Sequence, residues 1–290
     1  PVFGRWRNRQ DRCARRQIFS RPSASYIIQE VLSSDPGFGP PAQGRTNYAA
    51  CMGDSGHQTG KFGVTKHHTL RKTNNWEAQY ARASQRGFFS MHKEAKFRDI
   101  LDGLANTIAM MDIVTDLDDR DTRSHTVTDT QGGVSWSATG TVGSQYNPNW
   151  CRDANHISPT RPQFWSDGTD GGTVPPREFG PDGRRGMMWA SNQHHSTMAW
   201  TILPPNRESC GNNWHDEPGA FGASSRHQGG AHVLMGDGAV IFMSDSVEAG
   251  DGRASSINFG NNRGGKSPYG LWGALGSRAF KETIEEQLNQ

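Results

Sequence analysis

Residues 231–243 constrain the fold more than any other part of the 290-residue chain. They read A-H-V-L-M-G-D-G-A-V-I-F-M, two apolar arms around G-D-G. Asp237 and Gly238 supply residue types that tolerate the positive φ of a tight primed turn, which predicts a β-hairpin. Because the arms carry apolar residues at nearly consecutive positions, we expect both faces of this hairpin to be covered by the core.

Short apolar runs separated by Gly, Asn, Asp, Ser and Pro continue along most of the chain. Strands are predicted at residues 47–52 and 108–114, whereas residues 269–275 contain too many glycines for a free helix and indicate a packed segment. The predicted fold class is α+β, predominantly antiparallel β, with long loops. Three parts are expected: a basic segment at residues 1–30, a β-rich globular domain at 31–280 and a polar tail at 281–290.

Charge and hydropathy argue against two classes of protein. The 31 Lys and Arg residues nearly balance the 29 Asp and Glu residues, so no nucleic-acid partner is expected. No run of about 18 apolar residues occurs, so no segment is predicted to span a bilayer. Seven arginines precede residue 22 while aspartates crowd residues 112–121, and we expect these two patches to attract each other between neighbouring subunits.

Two patterns resemble catalytic motifs without fulfilling them. Gly53-Asp54-Ser55-Gly56 is similar to the nucleophile loop of a serine protease, but too few residues precede Ser55 to hold the first barrel, and a turn after the preceding strand is favoured. The histidine pairs His67-His68 and His194-His195 are adjacent, so on a strand their rings face opposite sides. With no H-E-x-x-H motif, a metal-dependent hydrolase is only a remote alternative.

Asp116, Asp118 and Asp121 offer hard oxygen ligands of the kind that calcium prefers. The run lacks the glycine at the sixth position and the distal glutamate that define an EF-hand. A solvated acidic turn is the favoured interpretation and a calcium site the alternative. No other cofactor is expected.

The four cysteines contain no C-x-x-C pair, which argues against a zinc ribbon. With nine tryptophans, many glycines and few lysines, the composition suits an exported, β-rich protein in which disulfides form. Cys151 and Cys210 each lie beside a Trp-containing, Pro-bounded segment in the same half of the chain, and we predict a disulfide between them.

His227 is followed by nine residues and then by Asp237-Gly238, an H-X9-DG signature. Four further stretches follow a fixed order and together cover roughly residues 32–278: S-S-D-P-G at 33–37 with T-N-Y-A-A-C-M-G-D at 46–54, F-R-D-I-L-D-G-L-A-N-T-I at 97–108, W-T-I-L-P-P-N at 200–206 with Cys210, and L-W-G-A-L-G-S-R at 271–278. In these motifs the chain resembles the large pilin-like proteins abundant in planctomycetes, the DUF1559 family.

The resemblance implies a pilin-like fold with an enlarged β-rich C-terminal domain. Members of that family typically begin with a cleaved prepilin leader and a long apolar helix, and this N-terminal pilin helix is not evident here. The family's Cys-Pro-Ser-Asp element reads Ser33-Ser34-Asp35-Pro36, which leaves Cys51 without an obvious partner. Structural roles are expected for the signature residues His227, Gly229, Gly230, Asp237, Gly238, Asp102, Gly103, Asn106 and Trp272.

Structural roles alone can explain these motifs, without a catalytic function. Gly229-Gly230 and Asp237-Gly238 are predicted to form the turns that bound one strand, and the His227 ring is expected to hydrogen-bond a loop carbonyl or the Asp237 carboxylate. Alanine in place of His227 or Asp237 is therefore expected to destabilise the fold rather than to abolish a reaction.

The leading hypothesis is a non-enzymatic structural subunit, pilin- or pseudopilin-like, which self-assembles into an extracellular or cell-surface filament. Its expected partners are copies of itself and a secretion or pilus machinery. The first alternative is a cell-surface module for polysaccharide or another solute, with a glycan as partner. Its flat binding faces would be Trp136, Trp150, Trp165, Trp189 and Trp214.

Overall fold

The computed structural model describes residues 44–56, 83–91, 94–128, 147–180, 184–191, 193–211, 219–257 and 265–279. Their fold is α+β and rich in β structure, as the sequence predicted. The strands are β1 Tyr48–Cys51, β2 Ile108–Asp112, β3 Val127–Thr128, β4 Arg177–Glu178, β5 Met198–Ala199, β6 Cys210–Gly211, β7 Gly219–Ala220, β8 Gly230–Met235 and β9 Val240–Ser244. The helices are α1 Trp150–Asp153, α2 His194–Thr197 and α3 Gly270–Gly276, and 3₁₀ turns occur at Phe97–Asp99 and Leu104–Asn106.

The strands form two sheets. The larger sheet has the order β5-β1-β2-β8-β9 and the smaller has the order β4-β3-β6-β7. Pairing is antiparallel except between β1 and β5 and between β3 and β6. The basic segment and the polar tail predicted at the two ends of the chain lie outside the described residues. No helix in the described part of the chain has both the length and the apolar character that a membrane span requires.

The predicted hairpin is confirmed as β8 and β9, but only one of its faces is covered. Ala231 pairs with Met243 and Val233 with Ile241, and this face joins the core. On the other face Val240 is 66% exposed and Phe242 45% exposed. The expectation of two covered faces is therefore wrong. β9 is the last of the described strands at this edge of the sheet, and only one of its two faces packs against the core.

Two other predicted strands are confirmed as β1 and β2, which pair with each other. The glycine-rich segment near the end of the chain forms α3 even though its composition disfavours a helix. Packing explains α3, because a Cβ added to Gly273 would lie 2.0 Å from Ser267 Oγ, and one added to Gly276 would lie 1.9 Å from Thr201 Oγ1. Its glycines therefore allow the helix to approach its neighbours closely.

Two apolar clusters stabilise the fold. One lies against the larger sheet and contains Met111, Val233, Trp272 and Leu275. The other contains aromatic side chains together with Cys151 and Cys210, which form the disulfide that the sequence predicted, with a Cα–Cα distance of 6.2 Å. The cluster's large aromatic members are Trp165, Trp200, Phe221 and Tyr269.

A buried cation, Arg185, connects the segments around the second cluster. Its guanidinium donates hydrogen bonds to the backbone carbonyls of His195, Met198 and Gly222 and lies over the Phe221 ring. Burial lowers the pKa of Arg185 to about 9, so the group is still protonated at neutral pH. This side chain therefore provides hydrogen-bond donors to three backbone carbonyls from separate segments.

Candidate functional site: the open face of the larger sheet

The signature hairpin closes with a three-residue turn. Met235 O accepts a hydrogen bond from Gly238 N, and the Asp237 carboxylate accepts one from Ala239 N. Gly238 has φ +96°, whereas Asp237 is not among the residues with positive φ. The expected two-residue primed turn is thus wrong in type, because Gly236 adds a third residue and only Gly238 needs the left-handed conformation.

Gly229 and Gly230 of the signature determine the backbone at the other end of β8. Gly229 has φ +83° and its carbonyl accepts a hydrogen bond from Asp245 N. A Cβ on Gly230 would lie 2.1 Å from Met243 O, so the two strands approach too closely there for any side chain. Gly229-Gly230 and Asp237-Gly238 therefore bound β8, as the sequence predicted.

Substitution of Gly238 gives a direct test of this turn. An added Cβ would meet no atom within 4 Å, so the cost of Gly238→Ala comes from its backbone conformation alone. We expect a loss of roughly 1–2 kcal/mol in the free energy of unfolding, measured by urea denaturation. Gly180→Ala is the matched control, since its Cβ would also be unobstructed and its φ is ordinary. Equal effects of the two substitutions would contradict this account.

His227 and Asp237 lie at opposite ends of β8, so of the two partners expected for the His227 ring, a loop carbonyl or the Asp237 carboxylate, the carboxylate is wrong. Asp237 is exposed, and its contact with Ala239 N predicts a cost of only about 0.5–1.5 kcal/mol for Asp237→Ala. The His227 ring instead lies 5.1 Å from the His232 ring, edge to face. The structural roles of His227 and Asp237 stay a prediction.

His232 lies on β8 beside Asp112 of β2. The His232 backbone N–H donates to Asp112 Oδ2 at 3.1 Å, and its ring Nδ1 is 3.3 Å from the same oxygen. One ligand atom from each of Asp112, His227 and His232 lies within 4.8 Å of the other two. Two imidazoles and a carboxylate thus converge at the sheet surface.

The loop that carries His227 is fixed by hydrogen bonds from three directions. Ser224 N donates to Asp112 O, and Ser224 Oγ accepts from Val114 N. Ser225 Oγ accepts from His227 N, while Ser225 N donates to Asn206 Oδ1. Asn206 Nδ2 also donates to Gly230 O at 3.2 Å. The P-P-N motif and the H-X9-DG motif therefore meet beside the histidines.

One face of the larger sheet is only partly covered around this cluster. Cross-strand partners share a face, and the registers pair Tyr48 with Asp112, Met110 with Leu234, His232 with Phe242 and Leu234 with Val240. Each of these side chains is half-buried or exposed. We call this surface the open face: Tyr48, Met110, Asp112, His232, Leu234, Val240 and Phe242.

The remaining signature residues lie away from the open face and connect parts of the fold. Asn106 Nδ2 donates to Asp102 O, and Gly103 has φ +94°. Asp102 Oδ2 accepts from Ser277 Oγ at 3.2 Å. Trp272 is fully buried and donates from its indole nitrogen to Leu203 O. These contacts join distant parts of the chain, and the structural roles expected of Asp102, Gly103, Asn106 and Trp272 stay a prediction.

Of the three aspartates proposed as calcium ligands, Asp116 and Asp118 each place a carboxylate oxygen within 4.8 Å of the other and of a His125 ring nitrogen, whereas Asp121 is not part of this group. Arg184 contacts both Asp116 and Asp118, and its hydrogen bond lowers the pKa of Asp118. Asp121 instead pairs with Arg123, with both carboxylate oxygens within 2.9 Å of guanidinium nitrogens. Arg184 and Arg123 thus supply positive charge at these carboxylates, and the alternative of a calcium site stays a prediction.

The favoured solvated acidic turn describes only part of the run, since Asp118 and Asp119 are exposed whereas Asp116 and Asp121 are each only 2% exposed. Two arginines already balance this run of aspartates, so it offers less charge to the arginines of the first 21 residues than the sequence suggested. Those arginines lie outside the described residues, and their attraction to a neighbouring subunit stays a prediction.

The other candidate residues are distributed between core and surface. His194 stacks on Trp200 and His195 lies near Phe179, both histidines being buried. Ser55 is buried and its hydroxyl donates to Ile257 O, which places it in the core. Trp165 is a core residue, Trp150 is half-buried and Trp189 is 65% exposed. His67, His68, Trp136 and Trp214 lie outside the described residues.

Cys51 on β1 is buried and forms no disulfide. Burial raises the pKa of its thiol to about 12. The thiolate is the reactive form of cysteine, so this side chain acts as a small apolar core residue.

The architecture is that of a β-rich α+β protein in which the glycine-containing turns of the signature lie at the two ends of β8, beside the open face. Residues 5–250 match the model of a family described as protein of unknown function, DUF1559 (SBP_bac_10). This match spans well over half of the chain, so the chain belongs to the DUF1559 family. Neither a curated protein nor a solved structure matches it.

Proposed function

We propose that this chain is a non-enzymatic structural subunit, pilin- or pseudopilin-like, which associates with copies of itself through the edge strand β9. The observation that carries the proposal is the exposure of this strand. Its sequence V-I-F-M-S contains no charge and no proline, the two devices that proteins commonly use to protect a sheet edge. Within the described part of the chain, no strand pairs with the outer side of β9.

The open face adds apolar side chains to this edge. Val240 and Phe242 lie on the edge strand itself, and Tyr48 on the same face is 60% exposed. An uncharged edge strand beside exposed apolar groups can add a strand from another molecule, with main-chain hydrogen bonds and side-chain burial both contributing. A second copy that uses a different patch would propagate the contact head to tail, as a filament requires.

The disulfide supports an extracellular or cell-surface location, because such bonds persist in oxidising compartments. A secretion or pilus machinery is the partner that this location requires. The structural role by itself needs no cofactor.

Val240→Lys tests the proposal. A lysine on β9 adds charge to the exposed side of the edge and should reduce self-association at least tenfold while leaving the fold intact. Light scattering after size exclusion and negative-stain electron microscopy would measure the effect. Val174→Lys is the matched control, since Val174 is 49% exposed and lies outside the larger sheet. A wild-type protein that stays monomeric at high concentration, or equal effects of both lysines, would contradict self-assembly through β9.

A second candidate function is the binding of a polysaccharide or another solute. The name of the family model hints at solute binding, and Trp189 presents an exposed indole. Aromatic faces of this kind contact sugar rings. A glycan array with wild type and Trp189→Ala would separate this function from self-assembly, because glycan binding requires no second copy.

A further inference from the structure

We infer that Asp112, His227 and His232 form a binding site for a divalent transition-metal ion, with Zn²⁺ as the ion that fits best. This inference goes beyond the structural role proposed above, since β9 can pair with another strand whether or not a metal is bound. It assigns a ligand to the histidine of the H-X9-DG signature, whose ring does not contact the Asp237 carboxylate.

The donor set determines the chemistry of the ion. Two imidazole nitrogens and one carboxylate oxygen suit Zn²⁺, Co²⁺, Ni²⁺ or Cu²⁺, whereas Ca²⁺ and Mg²⁺ prefer oxygen ligands throughout. Zinc bonds to nitrogen and oxygen are about 2.0–2.2 Å long. Ligand atoms already within 4.8 Å of one another need only small side-chain rotations to reach such an ion.

Two of the three ligands are held by the backbone of paired strands. Asp112 Oδ2 accepts the His232 backbone N–H at 3.1 Å, which fixes the carboxylate beside the His232 ring. Hydrogen bonds of this kind orient a ligand before the metal arrives. His227 is on the loop that Ser225 and Asn206 fasten to β8, so the third ligand is also restrained.

The site is accessible to solvent. The His232 side chain is 41% exposed, that of Asp112 is 19% exposed, and His227 is exposed. Three protein ligands leave one position of a tetrahedral ion for water. With three protein ligands, the site resembles an open zinc site rather than a closed structural zinc site.

The sequence contained a weak signal for this site. Four residues lie between His227 and His232, a separation that zinc ligands also show, but Gly229 at φ +83° lies between them and only His232 is on β8. Asp112 is 120 residues from His232. Only the pairing of β2 with β8 brings the three side chains together.

Isothermal titration of metal-free protein with ZnCl₂, together with the visible absorption of a Co²⁺ complex, tests the inference. The wild type should bind one ion at this site, and His232→Ala should weaken that binding on the order of 100-fold because three ligands become two. His227→Ala should act similarly, while Asp112→Asn should weaken binding at least about tenfold.

Asp237→Asn is the matched control, since it changes an exposed carboxylate at the other end of β8 and should leave zinc binding unchanged. Far-ultraviolet circular dichroism of each variant would show that the fold is retained; if His232→Ala were unfolded, His232→Gln and His227→Gln would replace it. Wild-type protein that binds no Zn²⁺ at micromolar concentrations would overturn the inference. Zinc affinity that is the same in the wild type and in both His227 and His232 variants would also overturn it.

Discussion

Replacement of Asp54 by alanine is expected to destabilise the protein by about 3–5 kcal/mol, the cost of leaving one member of a buried ion pair without its partner. Arg86 Nε donates to Asp54 Oδ1 at 2.7 Å, and both side chains are at most 1% exposed. The Arg86 guanidinium also donates to Gly265 O at 3.0 Å. Without the carboxylate, a buried cation would keep neutral hydrogen-bond partners but lose its counter-charge.

Two comparisons make this prediction specific. Asp153→Ala breaks the Arg253 pair, whose side chains are 62% and 30% exposed, and it should cost no more than about 1 kcal/mol. The double variant Asp54→Ala/Arg86→Met should be more stable than Asp54→Ala alone, because it removes the uncompensated charge. Urea denaturation measures all three proteins, and a small effect of Asp54→Ala would show that the pair contributes little to stability.

Loss of the Cys151–Cys210 disulfide is expected to have a similarly large effect. The two cysteines are 59 residues apart in sequence, and closing a loop of that length stabilises by roughly 4 kcal/mol in the chain-entropy model. Both sulfurs lie in the cluster that contains Trp165 and Trp200, so the bridge also joins α1 to β6 inside the core. Cys151→Ala/Cys210→Ala should therefore lower the melting temperature markedly.

Treatment with a reducing agent distinguishes the stability contributed by the disulfide bond from that contributed by the packing of the cysteine side chains. Dithiothreitol should lower the melting temperature of the wild type and should leave that of Cys151→Ala/Cys210→Ala unchanged. Cys51→Ala is the control, because Cys51 is buried and unbridged and this variant should keep the sensitivity to reductant. Insensitivity of the wild type to dithiothreitol under partly denaturing conditions would contradict a stabilising disulfide.

The local features of the fold were predictable because they depend on neighbouring residues. The hairpin, the strands β1 and β2 and the turn at Asp102-Gly103 all follow from apolar runs bounded by turn-forming residues. The turn type was missed because Gly236 extends the loop by one residue, a difference that composition does not reveal. The class α+β followed from the same signals.

The features that were missed depend on partners distant in sequence. Asp116 is buried and pairs with Arg184, which is 68 residues away, so one aspartate of a run that resembled a solvated turn lies in the interior. Arg185 is buried because three separate carbonyls meet its guanidinium. The cluster of Asp112 with the two histidines likewise requires knowledge of which strands pair.

The contacts of residues 277 and 278 have a consequence for the order in which the chain folds. Arg278 N donates to Arg86 O, Arg278 O accepts from Leu101 N, and Thr107 Oγ1 lies 3.4 Å from Ser277 O across 170 residues. Contacts so distant in sequence carry a large loop-closure cost and slow the folding of β-rich proteins. The segments that contain Arg86 and Leu101 therefore complete these hydrogen bonds only after residues 277 and 278 have been synthesised.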